Sequence, residues 1–118
     1  DTRNPTMAPK IFCILDSDLS FFAVDYFRDE IIDTLKDRIY DKIVTEPNVK
    51  AKDLTLREAN IPIVEDANYE KVVEDIKKDR SNKMGPADFV YEHISEALSK
   101  TIQIVVELPK QGMMMWWS

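Results

Sequence analysis

Hydrophobic residues at the start of the chain form two short runs with a polar break between them. Residues 10–16 and 19–26 are rich in strand-forming residues, and the turn residues Asp16, Ser17 and Asp18 separate the two runs. Two such runs joined by a few polar residues predict a β-hairpin.

A helical period replaces this pattern after residue 31. Apolar side chains recur at spacings of three and four, the stripe of an amphipathic helix, at Ile32, Leu35, Ile39 and Ile43. Asp29 is the predicted N-cap, because its side-chain oxygen can accept a bond from a free backbone amide of the first turn. Pro47 is expected to end the helix.

The second half of the chain predicts further strands and shorter helices. Residues 52–63 have an extended pattern, and Pro62, which lacks an amide donor, marks a strand end or a sheet edge. Residues 68–78 form a helical stripe, and a third helical stretch is expected beyond Gly85. Residues 101–108 predict a strand that is too apolar in its middle for a solvated edge, so we expect it at the sheet centre.

This order of elements predicts an α+β fold of the ubiquitin-like β-grasp type, a mixed sheet packed on one long helix with additional short helices. The first and last strands are expected to lie side by side and run parallel. Residues 1–9 are expected to be a disordered or extraneous segment. Residues 10–109 form the predicted domain, and residues 110–118 a tail or the start of a linker.

Charge and composition exclude several classes of function. The 118 residues carry a net charge of −6, which opposes binding to nucleic acids and to anionic membranes. The chain has two glycines and contains no glycine-rich phosphate loop. No apolar run approaches the ~18 residues of a transmembrane helix.

Residues with catalytic potential are few and scattered. Cys13 lies inside an apolar run and is expected to be a small buried hydrophobe. His93, the only histidine, lacks the neighbouring pattern of a metal site or a triad and is expected to be exposed or to cap a turn. The acidic pairs at 65–66 and 74–75 have lysines nearby and predict a solvated face. We therefore expect no catalytic residues, no metal and no cofactor.

The chain resembles the N-terminal domain of Crinkler effector proteins of oomycetes and fungi. The resemblance covers about residues 10–109 and depends on the shared order of six runs: KIFCIL at 10–15, SFFAVD at 20–25, IDTLKDRI at 32–39, AKDLTL at 51–56, NIPI at 60–63 and IQIVVELP at 102–109. It implies a ubiquitin-like header domain linked to secretion and entry into host cells, with separate C-terminal domains that often act in the nucleus.

The family's translocation motif, Leu-x-Leu-Phe-Leu-Ala-Lys, corresponds here to LTLREAN at 54–60. Leu54 and Leu56 match, and Ala59 is near its expected place, but the aromatic residue and the final lysine are replaced. Leu54 and Leu56, two apart on a strand, also predict one shared apolar face that packs on the long helix. Arg57 lies on the alternate face and is the predicted probe of direct recognition.

Three functions follow as hypotheses. The first is a non-catalytic trafficking or translocation domain of a secreted Crinkler-type effector that acts through a protein partner or self-association. The second is an intracellular ubiquitin-like interaction module that docks through its sheet face or an edge. The third is a small enzyme or nuclease whose acidic residues would bind magnesium, but the sequence shows no clustered carboxylate motif with a neighbouring lysine. Trp116 and Trp117 are candidate partner-docking residues, since tryptophan is enriched in interface cores.

Overall fold

Residues 10–43, 50–98 and 100–108 are described by a computed structural model of this protein. The strands are β1 Lys10–Leu15, β2 Phe21–Asp25, β3 Thr55–Pro62 and β4 Thr101–Glu107, and the α-helices are α1 Ile32–Ile43 and α2 Tyr69–Lys78. Short 3₁₀ turns occur at Ala51–Asp53, Arg80–Asn82 and Val90–Glu92. Residues 1–9 and 110–118, with Trp116 and Trp117, lie outside the described residues, as does Pro47.

The strands form one mixed sheet in the order β2-β1-β4-β3. Strands β1 and β2 form the predicted antiparallel hairpin, in which Cys13 lies opposite Phe22. Strand β4 runs parallel to β1, with Ile14 opposite Val105, and antiparallel to β3. The predicted central and parallel placement of the last strand is therefore confirmed, and Pro62 lies at the end of edge strand β3.

The two helices cover opposite faces of this sheet. Leu35 and Ile39 of α1 belong to one buried apolar cluster, together with Ile11 and Cys13 of β1. Val73 of α2 belongs to a second apolar cluster, which includes four buried residues of the sheet, Ile14, Ile61, Ile102 and Val105. The expected single long helix, α1, is thus one of two α-helices of similar length, since α1 has 12 residues and α2 has 10.

A bulge in β4 changes which face its side chains reach. Successive β1 residues Phe12 and Cys13 pair with Ile102 and Ile104, which leaves Gln103 as the extra residue. As a result, Ile102 packs in the α2 cluster although Ile104, two positions later, packs in the α1 cluster. The Gln103 side chain donates to the carbonyl of Glu96 and accepts from the amide of Leu98, each at 2.9 Å.

The prediction that Asp29 is the N-cap of α1 is wrong. The helix begins at Ile32, and Asp29 is three residues upstream. The amide of Ile32 donates to the carbonyl of Asp88 at 2.8 Å, and the amide of Asp33 donates to that of Pro86 at 2.9 Å. A distant segment thus satisfies two of the free amides that a local cap would have bound.

The predicted third helix beyond Gly85 is also wrong, since only the 3₁₀ turn Val90–Glu92 forms there. Phe89, just before the turn, is extended, with φ −78° and ψ 148°. The amide of Val90 donates to the carbonyl of Glu30 at 2.9 Å. Because backbone groups of this segment form hydrogen bonds with residues at the start of α1, those groups are not available for helical hydrogen bonds within the segment.

Candidate functional site

The two leucines of the motif-like stretch lie in the core. Leu54 precedes β3 and is 2% exposed, and Leu56 lies in β3 and is 0% exposed. Both belong to the apolar cluster that contains Leu35 and Ile39 of α1. The expectation that they share one face and pack on the long helix is confirmed, and neither side chain is presented to solvent.

Arg57 faces the opposite side of β3, as alternation requires, but it is buried there. Its side chain is 9% exposed, and Nε donates to Oε1 of Glu107 at 2.9 Å. Nη1 donates to the carbonyl of Asp79 at 2.9 Å and to Oδ1 of Asn82 at 3.1 Å. The expectation that Arg57 is available for direct recognition is therefore wrong, because the turn that follows α2 covers it.

Glu58, the next residue, contacts the only histidine. Nδ1 of His93 bonds to Oε2 of Glu58, and Nε2 bonds to Oδ2 of Asp88 at 2.8 Å. Ionised carboxylates only accept hydrogen bonds, so when both carboxylates are ionised both ring nitrogens donate, which is the arrangement of an imidazolium. The His93 side chain is only 13% exposed, so of the two alternatives, exposed or capping, the second is confirmed: His93 is the C-cap of the turn Val90–Glu92, and its amide donates to the carbonyl of Val90 at 3.0 Å.

The pKa shifts of His93 and Asp88 agree with the geometry of this hydrogen-bonded triad of Glu58, His93 and Asp88. Burial lowers the pKa of His93, but the hydrogen bonds to Glu58 and Asp88 outweigh it and raise the pKa above its ordinary value. The pKa of the Asp88 carboxyl is lowered by the bond from His93 and by the amide of Gly85. Because the carbonyl of Asp88 also caps α1, the triad ties β3 to the segment that starts that helix.

Strand β3, which carries most of the stretch 54–60 and is called the motif-like strand below, is thus fixed to neighbouring elements on both faces of the sheet. Leu54 and Leu56 bind it to α1, Arg57 binds it to the end of α2, and Glu58 binds it to the segment around His93. Sequence reasoning missed the triad because Glu58 and His93 are 35 positions apart. A lone histidine in a polar stretch was the only available signal.

An open cavity of about 670 Å³ lies beside this strand. Glu58 and Asn60 of β3 line it together with His93, and Val72 and Ile76 of α2 supply apolar wall. Such a mixture of apolar surface and a few polar groups suits a binding groove.

The described residues offer little nucleophilic or metal-binding chemistry. Burial raises the pKa of the Cys13 thiol far above its ordinary value, so the thiolate is suppressed. No group of three or more His, Cys, Asp or Glu side chains within the described ranges could hold a metal ion. The acidic pairs 65–66 and 74–75 are exposed, as expected.

Fold and site together define a small α+β domain with a covered sheet, an anchored edge strand and an open groove. Residues 10–107 match the family described as Crinkler effector protein N-terminal domain. The chain therefore belongs to the Crinkler N-terminal domain family, which confirms the resemblance. No curated protein matches the chain. None of the helices in the described part of the chain is long and apolar enough to cross a membrane.

Proposed function

We propose that this chain is the non-catalytic header domain of a secreted Crinkler-type effector, which mediates its trafficking into host cells through protein–protein interaction or self-association. The observation that carries the proposal is the family match over residues 10–107. A separate C-terminal domain, acting inside the host cell and in its nucleus, would perform the effector's own activity.

The finer fold assignment is a ubiquitin-like β-grasp. The hairpin β1–β2, the helix α1 on one face and the parallel pairing of β1 with β4 support it. A fold of this kind presents edges and grooves to partners, and it requires no active site.

The stretch 54–60 contributes to delivery by building the fold. Leu54 and Leu56 are in the core, so a partner that contacts these two side chains directly would have to unfold β3, and the Arg57 side chain is ion-paired to Glu107. We propose that the partner instead binds the surface that β3 holds in place, which includes the groove beside this strand.

The test is a fusion of the full chain to a reporter protein that gives a signal only inside host cells. Uptake or secretion should depend on the chain, and a reporter without it should stay outside. Equal entry of the reporter with and without the chain would refute the trafficking role. Circular dichroism of each fusion checks that the domain is folded.

An intracellular ubiquitin-like interaction module is the alternative. The outer edge of β2 favours it, because no other strand in the described part of the chain pairs with that edge. Since α1 and α2 pack against opposite faces of the sheet, we propose this edge, the second of the two docking modes considered, over a sheet face. Stable capture of one intracellular partner without export would favour this alternative.

A further inference from the structure

A second cavity, of about 710 Å³, is lined by five residues that are all basic. They come from three elements: Arg57 from β3, Lys77 and Lys78 from the last turn of α2, and Arg80 and Lys83 from the following 3₁₀ turn and its C-cap. We call this set the basic pocket. Such a concentration of positive charge is unexpected in a chain whose net charge is −6.

Two of these cations are already neutralised. Arg57 pairs with Glu107, and Nζ of Lys77 lies 3.1 Å from Oδ2 of Asp16 and 3.6 Å from Oε2 of Glu74. The three others, Lys78, Arg80 and Lys83, are exposed.

For Lys78, Arg80 and Lys83, no carboxylate of the described residues lies within ion-pair distance. About three positive charges therefore face the pocket with no carboxylate partner among the residues that the structure describes. Like charges that line one cavity repel one another, so an anion that enters the cavity would be bound favourably.

The turn that carries these cations is held in one conformation. Oδ1 of Asp79 accepts from the amide of Ser81 at 2.9 Å and from its hydroxyl at 2.7 Å. The Asn82 side chain donates to the carbonyl of Ile76 at 2.9 Å. Nη1 of Arg57 donates to the carbonyl of Asp79 and to Oδ1 of Asn82. A site fixed in advance loses less entropy when a ligand binds.

We propose that the basic pocket binds an anionic segment of a protein partner, best a phosphorylated one. This inference rests on the proposed function and names the chemistry of its partner. A phosphoserine brings nearly two negative charges and three acceptor oxygens, which suits several lysine and arginine donors at once.

The rest of the domain decides between a peptide and a larger polyanion. With a net charge of −6, the surface outside the pocket repels an extended polyanion such as a nucleic acid or an anionic bilayer. A short segment that places its charge inside the pocket avoids most of that repulsion. The arrangement therefore favours a peptide over a membrane or a nucleic acid.

The test uses the full chain and one fluorescent serine–glycine peptide in three forms, with a pair of phosphoserines, glutamates or alanines. Anisotropy should give affinities in the order phosphoserine, glutamate, alanine, and binding should weaken as salt is added. In NMR spectra, the amides of Arg80–Asn82 should shift on addition of the phosphopeptide.

The decisive variant is Lys78→Glu with Arg80→Glu, which should weaken phosphopeptide binding at least about tenfold. The matched control is Lys42→Glu with Lys52→Glu. Lys42 and Lys78 each lie in the last turn of an α-helix, and Lys52 and Arg80 each lie in a 3₁₀ turn, so both variants change charge equally in similar settings. The control should bind as the unchanged chain does.

Several results would overturn the inference. They are equal binding of the phosphoserine and alanine peptides, equal losses in the two variants, or stronger binding to phosphatidylserine vesicles than to the phosphopeptide. Failure here leaves the trafficking proposal intact if the reporter fusion still depends on the chain. If the fusion shows no dependence while the phosphopeptide binds, the trafficking proposal fails and the pocket stands.

Discussion

Replacement of Arg57 by methionine tests whether the motif-like strand is an anchor. Methionine keeps most of the apolar stem but removes the guanidinium that bonds to Glu107, to the carbonyl of Asp79 and to Asn82. It leaves a carboxylate at Glu107 whose side chain is only 23% exposed and has lost its cation. Arg57→Met should therefore destabilise the domain through two effects, lost bonds and an unpaired charge.

The expected cost follows from these contacts. Hydrogen bonds to charged groups contribute about 1.5–3 kcal/mol each, and loss of one partner of a buried ion pair costs about 3–5 kcal/mol. Since Glu107 and the turn after α2 can regain water, we expect about 2–4 kcal/mol in the free energy of unfolding. With a urea dependence of about 2 kcal/mol per molar, the unfolding midpoint should fall by roughly 1–2 M.

Urea unfolding followed by circular dichroism measures this change. Arg80→Met is the matched control, because it removes an arginine at an exposed position and should shift stability by less than about 0.5 kcal/mol. A double-mutant cycle with Glu107→Gln should show that the two side chains are coupled. If Arg57→Met unfolds at the same urea concentration as Arg80→Met, the anchor interpretation is refuted.

Three further predictions concern other buried groups. Leu56→Ala should cost about 2–5 kcal/mol in urea unfolding, whereas Leu56→Met should cost less than about 1.5 kcal/mol; similar losses would argue against a core role. Because folding raises the pKa of His93, the protonated side chain stabilises the fold fully at pH values below its ordinary pKa of 6.5. This stabilisation should be lost as the pH rises through the folded-state pKa. In His93→Gln, unfolding curves across this range should lose that slope; an unchanged slope would contradict the triad. Cys13 should react with a thiol reagent only as fast as the domain unfolds, and rapid labelling of the native chain would show that it is accessible.

Local signals in the sequence were sufficient for most of the elements. Spacings of three and four predicted α1 and α2, and Asn68 caps α2 by accepting from the amide of Lys71 at 3.2 Å. The apolar run at 101–108 was placed correctly at the sheet centre, because a strand buried on both faces has no polar alternation. In each case the informative residues are neighbours along the chain.

The errors arose where a distant segment supplied the partner. Asp29 is a good capping residue, yet Asp88 and Pro86 cap α1 instead. His93 seemed isolated because its partner Glu58 is remote in sequence. No local pattern contains such pairs, so no local pattern could have predicted them.

The sequence alone determined the hydrophobic periods, the order of the four strands and two α-helices, the acidic balance and, through the shared order of six runs, membership of the family, because each can be read along the chain without knowing which elements pack together. Only the tertiary structure decided that Arg57 is buried, that the second sheet face is covered by α2, and that five basic side chains converge on one pocket. The physical reason is that burial and charge clustering depend on which elements pack together, and one covering helix turn can change an exposed arginine into a buried anchor.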